Sequence, residues 1–129
     1  MRYQWLDKYL MKKPGVSRDF KVEWQWTRYL LGDKMFAAVC KDPAGNDTLI
    51  TMKLNPVEGD FLRQQYADII PGYYMNKVHW NSVVADGAVP DALLEHMLDT
   101  SYGLVLQGLS GKKRLELIGT DAIPQSDRC

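Results

Sequence analysis

Apolar positions at the start of the chain repeat with a helical period. Tyr3, Leu6 and Leu10 fall on one side and Pro14-Gly15 breaks the pattern, which predicts an amphipathic helix over residues 2–12. From Val22 the period shortens to two, with Val22, Trp24 and Trp26 on one side and Glu23, Gln25 and Thr27 on the other, so a half-buried strand is expected up to about Leu31. Gly32-Asp33 separates this run from Lys34–Cys40, and a glycine at the first central position suits a two-residue hairpin. Residues 41–47 read as a longer turn before a third strand over Thr48–Leu54, completing an antiparallel meander.

Asn55-Pro56 then opens a helix, because Asn can accept from the free amides and Pro at the first helical position loses no bond. Val57, Phe61, Leu62 and Gln65/Tyr66 form its expected apolar stripe, which Gly59 weakens by ~1 kcal/mol relative to Ala. Ile69-Ile70-Pro71-Gly72 ends it, His79–Ala85 reads as a fourth strand, and Asp86-Gly87 is a turn. A last helix runs from Pro90 to about residue 107, with Leu94, Met97, Leu98, Ser101, Tyr102 and Val105 on one stripe. Leu115 and Leu117 alternate beyond Gly108, so residues 111–129 are expected to be a short edge strand or a loose tail. The order αβββαβα predicts an α+β domain over residues 1–110, an antiparallel sheet (meander plus one further strand) with helices packed on one side.

Composition narrows the class without adding a reaction. At 129 residues, with 46% hydrophobic and 25% charged residues, the chain fits one ordinary globular core. No apolar run reaches the ~18–20 residues of a membrane span, and the polar residues among Met1–Lys8 do not fit a signal peptide. Cys40 and Cys129 cannot build a disulfide framework, which points to a reducing cytoplasm. Charge is balanced overall but not along the chain. Residues 1–41 carry nine bases against four acids, a surplus of five, and residues 42–129 carry seven against twelve. A basic face can serve an anionic partner, although a pI near 6.7 argues against strong non-specific binding to nucleic acid.

Catalytic and metal signatures are weak. His79 and His96 are the two histidines, Glu95-His96 points its side chains about 100° apart on a helix, and no CxxC or HExxH spacing occurs. Cys40 ends an apolar strand and reads as a small core hydrophobe rather than a reactive thiolate. Ser82 and Ser101 lie in no nucleophile elbow, and Gly108-Leu109-Ser110-Gly111 falls one residue short of one. No glycine-rich phosphate cradle is present, so neither a cofactor nor an enzymatic activity is expected. The most unusual stretch, Ile70–Asn81, gathers Tyr73, Tyr74, Asn76, Lys77, His79 and Trp80. Rings for stacking, a cation and a directed hydrogen-bonding group suit a binding surface. A structural reading has Trp80 largely buried and Asn76 tying down the loop.

Gly32-Asp33-Lys34-Met35-Phe36-Ala37, Leu54-Asn55-Pro56, Pro71–Trp80, Asp86-Gly87 and Leu98–Val105 together resemble the MmcQ/YjbR family over roughly residues 2–107. The block Pro71–Trp80 is the most specific part. Gly32, Pro71, Gly72, Met75, His79, Ser101 and Tyr102 are the matching motif positions, and Tyr74 stands where the family typically has a histidine. The resemblance implies a small cytoplasmic bacterial protein with a curved antiparallel sheet and a double-wing arrangement like that of DNA-binding domains. It also implies DNA binding as the role; phosphate contacts make that binding weak and salt-dependent, and a monomer or weak dimer is expected. On that reading Arg28, Lys34 and Lys53 meet phosphates, while Asn76, Lys77 and Trp80 lie at the edge of the face. Two alternatives stand beside it: a protein- or small-ligand-binding module using the Tyr73–Trp80 surface, and an enzyme with a site around His79, Asp86 and Tyr74.

Overall fold

The computed structural model describes residues 2–41, 44, 48–72 and 76–120. Its elements in chain order are α1 (Leu6–Met11), β1 (Val16–Lys21), β2 (Trp26–Leu31), β3 (Lys34–Lys41), β4 (Thr48–Lys53), α2 (Pro56–Gln65), β5 (Ile69–Pro71), β6 (Trp80–Val84), α3 (Asp91–Gln107) and α4 (Gly111–Ile118). The strands form one sheet in the order β1-β2-β3-β4-β6-β5, and all five pairings are antiparallel. The α+β class and the antiparallel meander are as the sequence predicts.

The hairpin between β2 and β3 follows from its turn residues. Leu31 pairs with Lys34, leaving two residues in the loop, and Gly32 takes the left-handed φ of 64° that side chains resist. Further along, the register slips: Tyr29 faces Ala37 but Leu30 faces Met35, so Phe36 is an extra residue bulged out of β3. The bulge turns the fully buried Phe36 ring edge-on to Tyr102 of α3, with centroids 5.5 Å apart.

The helices bury one sheet face. Leu94, Met97, Leu98, Tyr102 and Leu106 of α3 and Leu6 and Leu10 of α1 join Tyr29, Leu31, Ala37, Ile50, Met52 and Val83 in the main core. Each such aliphatic side chain removed from water stabilises the fold by about 1.5–3 kcal/mol. A second cluster, Trp26, Ala38, Cys40 and Leu49, consists of strand residues alone. A buried polar row accompanies it, Thr51 Oγ1 lying 2.8 Å from Ser82 Oγ and 3.7 Å from the Cys40 sulfur. Burial pushes the Cys40 thiol up, consistent with the inert core role expected of it.

Several expected boundaries are corrected. The run from Val22 is not one strand. Val22–Gln25 is a turn in which Gln25 adopts φ 59°, and Val22 and Trp24 are exposed. The strand before it, β1, is exposed along most of its length and lies at the sheet edge. The N-terminal helix is shorter than residues 2–12. Tyr3 precedes it, buried and donating its hydroxyl to the Val89 carbonyl at 2.7 Å. Residues 111–118 form helix α4 instead of an edge strand or tail: Ser110 accepts from the Lys113 amide and Gly119 closes the helix at φ 79°. On α2 the Asn55 cap is present, accepting from the Val57 amide, but the expected stripe holds only in part. Leu62 is buried as expected, but Val57 and Phe61 are exposed and Gly59 is the other buried residue of the helix.

Gly59 marks where α2 touches the sheet. A Cβ there would sit 3.0 Å and 3.2 Å from the two side-chain heteroatoms of Asn81, a fully buried residue that accepts from Arg63 and donates to the His79 carbonyl. Gly59→Ala therefore destabilises the protein by about 1 kcal/mol, reversing the usual helical preference for Ala. A thermal melt above that of the parent would show that Asn81 can yield.

Candidate functional site

Three of the six candidate contact residues come together. Sheet order places β3, β4 and β6 side by side, and the register sets Lys53 directly opposite Trp80 at the ends of β4 and β6. Lys34 begins β3 just after the hairpin turn. Lys34, Lys53 and Trp80 line one open groove of about 430 Å³, with Asp33 and Met35 on the hairpin side and Leu104, Val105 and Leu109 on the helical side. Trp80 is half-buried rather than largely buried as expected: the end of β6 meets the open groove, which leaves part of the indole in reach of solvent.

The groove is framed by buried backbone links. Ser101, fully buried on α3, donates its hydroxyl to the bulged Phe36 carbonyl at 2.6 Å and accepts from the Lys53 amide at 2.9 Å. One hydroxyl thus pins β3, β4 and α3 beside the groove. On the other side Gly72 donates to the Trp80 carbonyl at 2.9 Å, and a Cβ at Gly72 would lie 3.1 Å from that of Trp80. The Leu54 amide reaches the His79 carbonyl at 2.7 Å, so residue 79 contributes through its backbone. Tyr102 donates to the Pro14 carbonyl at 2.6 Å, tying α3 to the loop after α1. Pro71 ends β5, and Gly32 supplies the hairpin turn. These motif positions are structural supports. Met75, with Tyr73 and Tyr74, lies outside the described residues.

The remaining candidates are placed elsewhere. Arg28 on β2 faces Asp19 on β1 and grips its carboxylate with two hydrogen bonds of 2.8 and 2.6 Å, so its charge is matched within the sheet. The guanidinium holds the Asp19 carboxyl below the usual carboxylate range. Asn76 is occupied by its own turn: its side chain accepts from the Val78 amide at 2.8 Å and its carbonyl from the Trp80 amide at 2.9 Å. This is the tying role that the structural reading gave it. Lys77 is exposed in the same turn, and neither it nor Asn76 lines the groove.

The basic surplus of residues 1–41 is partly matched as well. Arg18 bonds Asp7 at 2.7 Å, where Tyr29 donates too at 2.8 Å, and these two bonds draw the Asp7 carboxyl down. Lys13 binds Asp99 at 2.5 Å and lies over the Tyr9 and Tyr102 rings. Sequence reasoning missed the helical wall of the groove and the Arg63–Asn81 pair, because both depend on strand order and helix placement rather than on any local pattern. His96 meets Glu58 at 3.1 Å between α3 and α2, away from His79.

Comparison with known proteins fits this architecture. The YjbR family model matches residues 11–104. The uncharacterised Escherichia coli (strain K12) protein YjbR is 33% identical over 110 residues, covering 85% of this chain and 92% of that one. The uncharacterised Bacillus subtilis protein YyaQ is 26% identical over 109 residues, 75% of this chain and 92% of its own. Among solved structures, Deinococcus radiodurans protein DR2400, of domain DUF419, superposes with a TM-score of 0.76 at 30% identity over 93% of this chain and 90% of its own. A Pseudomonas syringae protein superposes at 0.70 with 25% identity over 81% of this chain and 98% of its own. In sequence and in fold alike, the chain belongs to the YjbR family.

Proposed function

We propose that the chain is a non-enzymatic cytoplasmic nucleic-acid-binding protein whose contact surface is the groove of Lys34, Lys53 and Trp80. The observation that carries this reading is their convergence: two lysines and a half-buried tryptophan line one recess. Lysines attract phosphates by charge and release their counterions, and an aromatic ring offers a base a stacking surface. The apolar walls supplied by Met35, Leu104, Val105 and Leu109 suit a base or sugar. Arg28, Asn76 and Lys77 have no part in this surface. With Asp33 also at the groove, local charge is modest, which fits weak, salt-dependent binding. A small anionic ligand with a planar ring is the second reading, favoured by the concavity of the site and by a volume within the range of small-ligand pockets.

The test is a titration with labelled oligonucleotide at low salt. Lys34→Ala with Lys53→Ala is expected to weaken binding to every sequence alike and to lower the slope of log K against log salt by about 1.5. Lys112→Ala, on the outer helix α4, changes little. Absence of saturable binding at tens of micromolar protein, the order of non-specific affinities, refutes the nucleic-acid reading and leaves the small ligand.

A further inference from the structure

We infer that the nucleic acid this groove takes is an unpaired strand and not a duplex, an inference that rests on the reading above. Proteins that read a duplex push a projecting helix or two-stranded ribbon into its groove. Here the relation is inverted, since Lys34, Lys53 and Trp80 line a recess into which the ligand must project. A recess of about 430 Å³ is on the scale of a single small ligand. The partly open indole makes the same distinction. Stacking needs the flat face of a base, and in a duplex both faces are covered by neighbouring bases, whereas an unpaired base can splay out.

The polar groups complete the assignment. Lys53 is the cross-strand neighbour of Trp80, and both line the recess, so a cationic side chain starts from the position next to the ring on which a base would stack. Lys34 approaches from the hairpin, so the two cations reach the recess from different strands. Asp33, in the hairpin turn, also lines the groove. A carboxylate accepts from the exocyclic amine of cytosine or adenine, edges that base pairing occupies in a duplex but an unpaired base leaves available. The site therefore combines a stacking ring, flanking cations and an acceptor for a base edge.

The deciding experiment compares a labelled mixed-sequence strand of about 12 nucleotides with the same strand annealed to its complement. The full chain is titrated with each at low salt. The strand is expected to bind at least about tenfold more tightly than the duplex. Trp80→Ala should reduce strand binding by about tenfold or more, and Trp80→Phe, which keeps a ring, should restore most of it. A thermal melt of Trp80→Ala matching that of the parent separates lost stacking from lost fold. Equal affinity for strand and duplex overturns the inference while nucleic-acid binding itself stands. So does tight strand binding that Trp80→Ala leaves intact, because the strand then sits elsewhere. Binding of neither probe overturns both.

Discussion

Replacing Ser101 by alanine lowers stability by about 2–4 kcal/mol, read as a fall in the urea midpoint at unchanged slope. The hydroxyl is fully buried and joins two backbone groups, the Phe36 carbonyl and the Lys53 amide. Without it, the buried Phe36 carbonyl and the partly buried Lys53 amide both lose this bond, and a polar group orphaned inside the protein costs about 1–3 kcal/mol. The bulge makes this worse, because the register slip between Tyr29 and Leu30 leaves Phe36 without a cross-strand residue on β2. A loss under about 0.5 kcal/mol, the range of an ordinary surface change, would show that the hydroxyl is dispensable.

Phe36→Ala has the largest expected effect, about 3–5 kcal/mol. The ring has no exposed surface and packs edge-on against Tyr102, which itself anchors the Pro14 carbonyl. Truncation opens a cavity among α3 residues that cannot close without moving the helix. Phe36→Leu, which keeps most of the volume, should recover more than half of the loss. Equilibrium denaturation of the two variants checks this. An alanine variant as stable as the leucine one would mean that the bulge collapses to fill the space.

Local chemistry made much of the fold legible. Asn55-Pro56 and Gly32-Asp33 act through their own backbone preferences, so a helix start and a hairpin could be read directly. The errors occurred where tertiary position overrides pattern. Val22, Trp24 and Trp26 alternate like a strand, but Val22 and Trp24 sit exposed at a hairpin tip and only Trp26 is buried. Beside them Ser17-Arg18-Asp19 carries no alternation because an edge strand with an exposed surface needs none. Helix α4 announced itself through Ser110 and Gly119, its cap residues, while the spacing of Leu115 and Leu117 suggested a strand. Val57 and Phe61 suggested a buried stripe, whereas α2 docks through the smallest residue it has, Gly59. For the candidate site, lysine and tryptophan were visible as residue types, but their meeting depends on β6 inserting between β4 and β5. Arg28 looked as available as Lys34 until the pairing of β1 with β2 set Asp19 opposite it.

The two outer strands of the sheet bear on how the protein behaves when crowded. Among the described residues the edges are β1 and β5. If two copies joined β1 to β1 with their sheet faces continuous, the two registers of greatest overlap would set Arg18 against Arg18 or Asp19 against Asp19, and like charges directly opposite repel. The β5 edge has three residues, and its last, Pro71, has no amide to offer an incoming strand. Growth into a continuous sheet is therefore resisted at one margin by charge and at the other by brevity and a missing donor, a defence against aggregation written into residues that contribute little to the core.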